Sequence, residues 1–167
     1  MAIMRIRLFG DPVLKEKSRE VKEMGDALQK LIGNMADTLY DAPGVGLAAN
    51  QVGVPDRIFV FDVGDGIQVC INPRITFPDG EMTEGEENLE GCLSLPGIDL
   101  PVQRHLRLKL EYQDEKGEAR SLEAEGLLAR VIQHEADHLD GFVILDRAER
   151  KARAEALKRL RNSLYSL

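Results

Sequence analysis

The apolar positions along the chain change period several times, and each change marks an element. Over residues 25–42 they fall at Leu28, Leu31, Ile32, Met35 and Leu39, the three-and-four spacing of one helical face. Pro43 and Gly44 follow and stop that helix. A glycine- and alanine-rich stretch from Gly44 to Gly53 leads to two short apolar runs, 57–63 (RIFVFDV) and 67–73 (IQVCINP). They read as strands around the turn residues Gly64, Asp65 and Gly66. Cys70 lies in the second run and reads as a small core residue. Residues 74–104 carry Pro78, Asp79, Gly80, Pro96, Gly97 and Pro101 and read as irregular. Alternation returns at 105–113, where Leu106, Leu108, Leu110 and Tyr112 interleave with polar residues. Lys116 and Gly117 then turn the chain into a further strand at 118–124. The pattern predicts a helix over about 124–139, closed by Asp140 and by Gly141 in the left-handed terminating position. FVIL (142–145) reads as a short strand before a final basic amphipathic helix. Helix, several antiparallel-type strands, helix, strand, helix is an α+β order rather than strict alternation.

No window approaches twenty consecutive apolar residues, which excludes a transmembrane helix and sets membrane functions aside. The first fifteen residues carry charges where a signal peptide needs an apolar run, so a cytoplasmic location is expected. With 167 residues, no repeats and no long linker, one domain spanning 1–167 is expected. The net charge of −7 disfavours a general nucleic-acid binder. Residues 147–161 run against that balance, with seven basic side chains to two acidic ones. Two cysteines, Cys70 and Cys92, are too few for a disulfide scaffold.

The chemistry concentrates on the second helix. Gln133-His134-Glu135-Ala136-Asp137-His138 contains the H-E-x-x-H pattern. His134 and His138 are one turn apart on one face, so both imidazoles can reach one ion. Glu135 is rotated roughly 100° from His134, near enough to approach a water without being a ligand. Leu127 and Val131 continue the stripe of the histidines, and Leu128, Ile132 and Leu139 that of Glu135. Three ionisable groups therefore sit where a core is expected, and a bound cation resolves the cost of burying them. A catalytic tetrahedral site needs a third protein ligand. The position where a downstream third histidine would stand is Ile144, and no histidine follows His138. Upstream candidates are Cys92, Cys70, His105 and several carboxylates. Cys92 is favoured, because Gly91 permits close backbone approach. Its thiolate suits Zn(II) or Fe(II) over Mg(II) or Ca(II). His105, on the polar side of its strand, reads as solvated or structural.

Three separated motifs carry a resemblance: Gly44-Val45-Gly46-Leu47-Ala48-Ala49-Asn50-Gln51, Glu90-Gly91-Cys92-Leu93-Ser94 and Gln133-His134-Glu135-Ala136-Asp137-His138. Their order and separation resemble the three signatures of the peptide deformylases, in the short bacterial form without large insertions. The resemblance implies antiparallel sheets packed around a central metal-binding helix, with a C-terminal amphipathic helix. It implies removal of the formyl group from N-formylmethionine on nascent polypeptides, with a metal-bound water as nucleophile and Glu135 as general acid and base. The implied ligands are Cys92, His134 and His138, around one divalent ion per chain. That ion is Fe(II) physiologically, and Zn(II), Ni(II) or Co(II) also fit. Gln51 and the Leu93 backbone N–H are implied as oxyanion donors. Gly46 and Val45 would bind substrate, the Gly44–Leu47 segment pairing with its backbone as an added strand. Glu90 paired with Arg104 would support the cysteine loop. The terminal helix, with Leu157, Leu160 and Leu164 as its apolar edge, is either merely solvated on its basic side or contacts ribosomal RNA. A zinc peptidase of the H-E-x-x-H type is the main alternative, and a structural metal module or a cysteine-nucleophile enzyme are others.

Overall fold

The structure, a computed structural model, describes residues 2–84 and 88–164. The first helical stripe forms α1 (Asp26–Asp41), which buries Leu28, Ile32, Met35 and Leu39. The chain then makes a short edge strand, β1 (Gly46–Ala48), and a turn of 3-10 helix over Ala49–Val52. The two apolar runs become β2 (Ile58–Phe61) and β3 (Gln68–Thr76). After β4 (Leu89–Cys92) and β5 (Leu95–Pro101), the alternating segments form β6 (Arg107–Gln113) and β7 (Ala119–Glu125). Strands β1-β2-β3-β6-β7 make one antiparallel sheet, and β4-β5 make a separate antiparallel pair. Helices α2 (Gly126–Leu139), α3 (Ile144–Arg147) and α4 (Arg150–Leu164) complete the α+β arrangement. None of the described helices is long and apolar enough to cross a membrane.

Successive residues of a strand point to opposite faces, and here both faces are covered. Ile58, Val60 and Ile71 join Leu28, Ile32, Met35 and Leu39 of α1. Phe59, Phe61 and Cys70 point the other way, to Ala129, Val131, Ile132 and Leu139 of α2. This explains why 57–63 reads as a nearly continuous apolar run. Cys70 is the small core residue expected, fully buried. A third cluster joins Leu95, Ile98 and Leu100 of β5 to Val143, Ile144 and Leu145, and to Ala156, Leu157 and Leu160 of α4. The side chain of Leu164, expected on the same apolar edge, lies outside the described residues. Helix α2 thus packs its apolar side on the sheet, and the β4–β5 pair is anchored independently.

Two expectations are corrected. Residues 142–145 are not a strand: Val143 donates its N–H to the Asp146 carboxylate at 2.8 Å, and the chain enters α3 directly. The apolar run there expresses burial of Val143, Ile144 and Leu145, not extension. Residues 74–104 are not irregular throughout, since β4 and β5 lie within them. Pro96 and Pro101 are tolerated because a two-stranded pair leaves each strand one unpaired edge. A third difference is a register shift between Ile71 and Arg74 in the β3–β6 pairing. Asn72 adopts φ +51° there, a conformation asparagine tolerates better than most residues. Its side chain accepts the Val21 N–H at 2.8 Å and donates to the Val21 carbonyl at 2.9 Å, fixing the N-terminal arm.

Gly141 has φ +81°, and a Cβ built there would lie 2.6 Å from the Lys15 carbonyl oxygen. Gly97, at φ +74°, has no neighbour within 4 Å of such a Cβ. Gly141→Ala is therefore expected to destabilise by more than the roughly 1–2 kcal/mol of left-handed strain that Gly97→Ala incurs. Urea midpoints of the two variants check the order, and equal midpoints would show that the Lys15 contact yields freely.

Candidate metal centre

On α2 the rings of His134 and His138 lie edge to face, with centroids 4.9 Å apart. Their Nε2 atoms are 3.2 Å apart, and Cys92 Sγ lies 3.4 Å from the Nε2 of His138. The ligand atoms of Cys92, His134 and His138 are all within 4.8 Å of one another. Three electron-pair donors facing inward at this range can share protons or hold a cation. A thiolate and two imidazoles suit one borderline or soft divalent ion. Among the described residues no further Cys, His, Asp or Glu joins the group.

The sequence reasons locally for this convergence. The helix supplies both histidines on one face, and the glycine before Cys92 allows the β4 backbone to run close to it. In β4 the pairing shifts register between Gly91 and Cys92, turning the thiol out of regular alternation. The expected Leu127–Val131–His134–His138 stripe holds from Val131 onward. Leu127 is 59% exposed and lines the open cleft instead of the core.

Behind the ligands lies a buried charge network. Glu90 Oε2 is 2.9 Å from His134 Nδ1, which directs the Nε2 of that ring toward Cys92 and His138. The Glu90 carboxylate also receives two bonds from Arg104, at 2.8 and 2.9 Å, in a fork geometry. Burial alone would raise the Glu90 carboxyl, but the Arg104 and His134 bonds outweigh it and hold it at about 2. The pair anticipated between Glu90 and Arg104 is therefore buried, not a solvated surface contact. Arg104 reaches further, to Asp137 at 2.6 Å, and Asp137 receives Arg147 from the other side at 2.6 Å. Sequence reasoning passed over Asp137 because it occupies a free position of the histidine motif. It also passed over Asn50, which is fully buried and donates to the His138 carbonyl at 2.5 Å. The signal available for Asn50 was a pair of amides, Asn50-Gln51, inside an otherwise small and apolar run.

Glu135 is 3% exposed, and its Oε2 has no hydrogen-bond partner. Burial pushes its carboxyl up to about 7. Its side chain packs against Gly46 of β1, where a Cβ would come within 2.9 Å of Glu135 Cγ. Gln51 faces two ways: Oε1 accepts the Ala48 N–H at 2.9 Å, and Nε2 points to Ser94 Oγ at 3.1 Å and Cys92 Sγ at 3.7 Å. Glu135, Gly46, Gln51 and Cys92 border one cleft of about 580 Å³, whose lining also includes Val45 and Leu93. The cleft opens along the free edge of β1, the strand at the end of the five-stranded sheet. Cys70 and His105 are not part of it. Cys70 is in the core, and burial pushes its thiol far up. The ring of His105 stacks on Phe77 at 3.7 Å, on the opposite side of α2.

The chain matches the family model described as "Polypeptide deformylase" over residues 3–154. It is 50% identical over 151 residues to a peptide deformylase of Clostridium botulinum, covering 90% of this chain and 100% of that protein. The crystal structure of peptide deformylase from Thermotoga maritima superposes with a TM-score of 0.81 at 46% identity, covering 88% of this chain and 98% of that one. A peptide deformylase from Synechococcus elongatus, solved in complex with actinonin, gives a TM-score of 0.87 at 41% identity, over 93% of this chain and 85% of that one.

Removing Arg104 leaves the Glu90 carboxylate buried and half-paired. Arg104→Ala is therefore expected to cost about 3–5 kcal/mol of stability and to weaken metal binding about 10–100-fold. Urea unfolding and metal competition with a chromophoric chelator measure the two effects. Unchanged metal affinity in a folded variant would mean that Glu90 orients His134 without help.

Proposed function

Since this chain belongs to the polypeptide deformylase family, and so is a metal-dependent hydrolase that removes formyl groups from N-formylmethionyl peptides, we propose how its own residues divide the work. The observation that carries the reading is the convergence of Cys92, His134 and His138 at the wall of the cleft that Cys92, His134 and Glu135 line. The thiolate in that set separates the chain from peptidases of the H-E-x-x-H type, which the histidine motif alone had left open. Fe(II) is the ion we assign to the site, and Zn(II), Ni(II) and Co(II) suit the same donors. When bound, the metal supplies Lewis acidity that makes a water nucleophilic near neutral pH.

Glu135 takes the proton of the attacking water and returns it to the departing amine nitrogen. Its Oε2, without a partner inside the protein, supports that role. Gln51 Nε2 and the Leu93 backbone N–H stabilise the oxyanion. The Gln51 carbonyl is tied to Ala48, which supports an amide whose donor end is fixed in direction. Val45 and Gly46 bind the substrate backbone along the open edge of β1. The formyl carbon carries only hydrogen, so a crowded centre admits it and excludes larger acyl groups. Residues 1–167 act as one catalytic domain, with α4 held to the body through Ala156, Leu157 and Leu160.

The partner of α4 belongs to the same reading. Arg150, Lys151, Arg153, Lys158, Arg159 and Arg161 are all exposed. This supports contact with ribosomal RNA, and with it work on nascent chains in the cytoplasm.

Glu135→Gln is expected to keep its metal and lose about 10²–10⁴-fold in kcat/KM on formyl-Met-Ala-Ser. Metal analysis and formate release are to be read on one sample, beside unformylated Met-Ala-Ser. Hydrolysis of the unformylated peptide, or an undiminished rate, would falsify the assignment. Co-sedimentation with ribosomes should occur at low salt, fall steeply as salt rises, and weaken when Lys158 and Arg161 are both changed to Glu. Binding indifferent to salt and to those changes would remove α4 from the account.

A further inference from the structure

Arg130 stands four residues before His134 on α2, just over one turn or about 6 Å along the axis. With Leu127, Val131 and His134 it lines the cleft. Its Nη2 donates to Asn88 Oδ1, while its Nε is buried without a hydrogen-bond partner. The other arginines withdrawn from solvent, Arg57 and Arg104, each hold a carboxylate: Asp140 for the first, Glu90 and Asp137 for the second. Among the described residues Arg130 has no carboxylate within ion-pair distance. It is a guanidinium kept partly from water, in a cleft walled by Leu127 and Val131; its Nε is sealed from solvent, its Nη2 bonds Asn88, and among the described residues its Nη1 is left without a partner. Such a group gains most from a planar anion that accepts two parallel N–H bonds. The apolar walls strengthen that attraction relative to open solvent.

We propose that Arg130 is a specificity-determining residue of this cleft, selecting formyl peptides that carry a carboxylate side chain one or two residues beyond the methionine. The position follows from reach if the peptide runs along α2 from the metal ligands. An extended peptide advances about 3.4 Å per residue, so an offset of about 6 Å falls at the second or third residue. The inference rests on the deformylase reading and refines it. Arg130 lies away from the reacting atoms, so its effect belongs to substrate binding and is read in KM.

The test compares kcat and KM of the metal-loaded protein on formyl-Met-Glu-Ser-amide and formyl-Met-Ser-Glu-amide with their Gln counterparts. Formyl-Met-Ala-Ser, as free acid and as amide, separates a side-chain carboxylate from a terminal one. The expected result is a preference of about tenfold for Glu over Gln in at least one position, carried by KM and shrinking at high salt. In Arg130→Gln the Glu-to-Gln ratio falls to about one. In Arg130→Lys it is intermediate, because the charge stays and the fork is lost. The ratio is taken within each protein, so a general loss of activity or folding cancels. Equal rates on Glu and Gln peptides overturn the proposal, as does a preference that survives Arg130→Gln. A gain confined to the free acid assigns the carboxylate to a chain terminus and overturns it too. No formate release from any peptide overturns the deformylase reading itself.

Discussion

Cys92 Sγ and the Nε2 atoms of His134 and His138 lie within 4.8 Å of one another, and with all three deprotonated, as a metal requires, their lone pairs repel. The arrangement can persist only if each ligand is held from behind more firmly than it is pushed away. For His134 the hold is Glu90, which fixes the ring through Nδ1 and is itself fixed by the Arg104 fork. For His138 the hold is on the backbone alone: Asn50 donates to its carbonyl at the C-terminal end of the helix, while the ring Nδ1 is buried without a partner. For Cys92 it is the β4–β5 pair, whose Leu95, Ile98 and Leu100 are sunk in the third apolar cluster. Glu90 joins these supports, because it belongs to β4 and grips a ring of α2. One buried carboxylate thus couples the two elements that the metal also couples.

That coupling has a cost that the surroundings must cover. A carboxylate with 5% exposure is unfavourable by several kcal/mol unless it is paired and fully hydrogen-bonded. Arg104, itself buried, meets this requirement, but then Arg104 also needs its remaining donors matched. Asp137 matches them and passes the demand outward to Arg147. Arg147 meets water and the face of Phe142, whose centroid is 4.8 Å from its guanidinium carbon. The network therefore runs from the metal ligands to solvent in alternating signs, and each member explains the next. The α3 turn that carries Arg147 is formed where FVIL might have extended, so the local departure from strand also delivers the outermost cation.

Much of the site could be read from the sequence because its chemistry is written in side-chain types. Two histidines one turn apart, a glycine before Cys92, and a glutamate beside the first histidine leave few alternatives. The long helices were legible for the related reason that their apolar spacing is set by one face. What escaped is governed by context. The β4–β5 pair contains Pro96, Gly97 and Pro101, residues that usually signal loops, and only an isolated two-stranded pair accommodates them. FVIL has strand composition, yet cluster packing and the Asp146 bond decide its shape. Leu127 continues the histidine stripe in register, but that face opens onto the cleft while Leu128 and Ala129 of the same turn stay in the second cluster, and a periodic pattern carries no mark for where a cleft opens. Asp137 and Asn50 are polar residues whose partners are distant in sequence, 33 residues to Arg104 and 88 to His138. No local pattern contains such pairings.

Glu135 shows how the scaffold joins binding to proton transfer. Its side chain fills the space above Gly46, where any Cβ would displace it. The same glycine opens β1, the sheet's edge strand. A peptide that pairs with this edge therefore comes to rest against the backbone that defines where the Glu135 carboxyl sits. In the proposed reaction, the strand that holds the substrate and the strand that seats the acid and base are one and the same. Its position is fixed on the other side by pairing with β2, through Gly46 opposite Phe61 and Ala48 opposite Phe59. Those two phenylalanines pack into the cluster that carries α2, the helix from which Glu135 projects. The distance between base and substrate is thus set by rigid sheet and helix packing and not by a loop, which suits a reaction whose leaving group must receive its proton at a defined place.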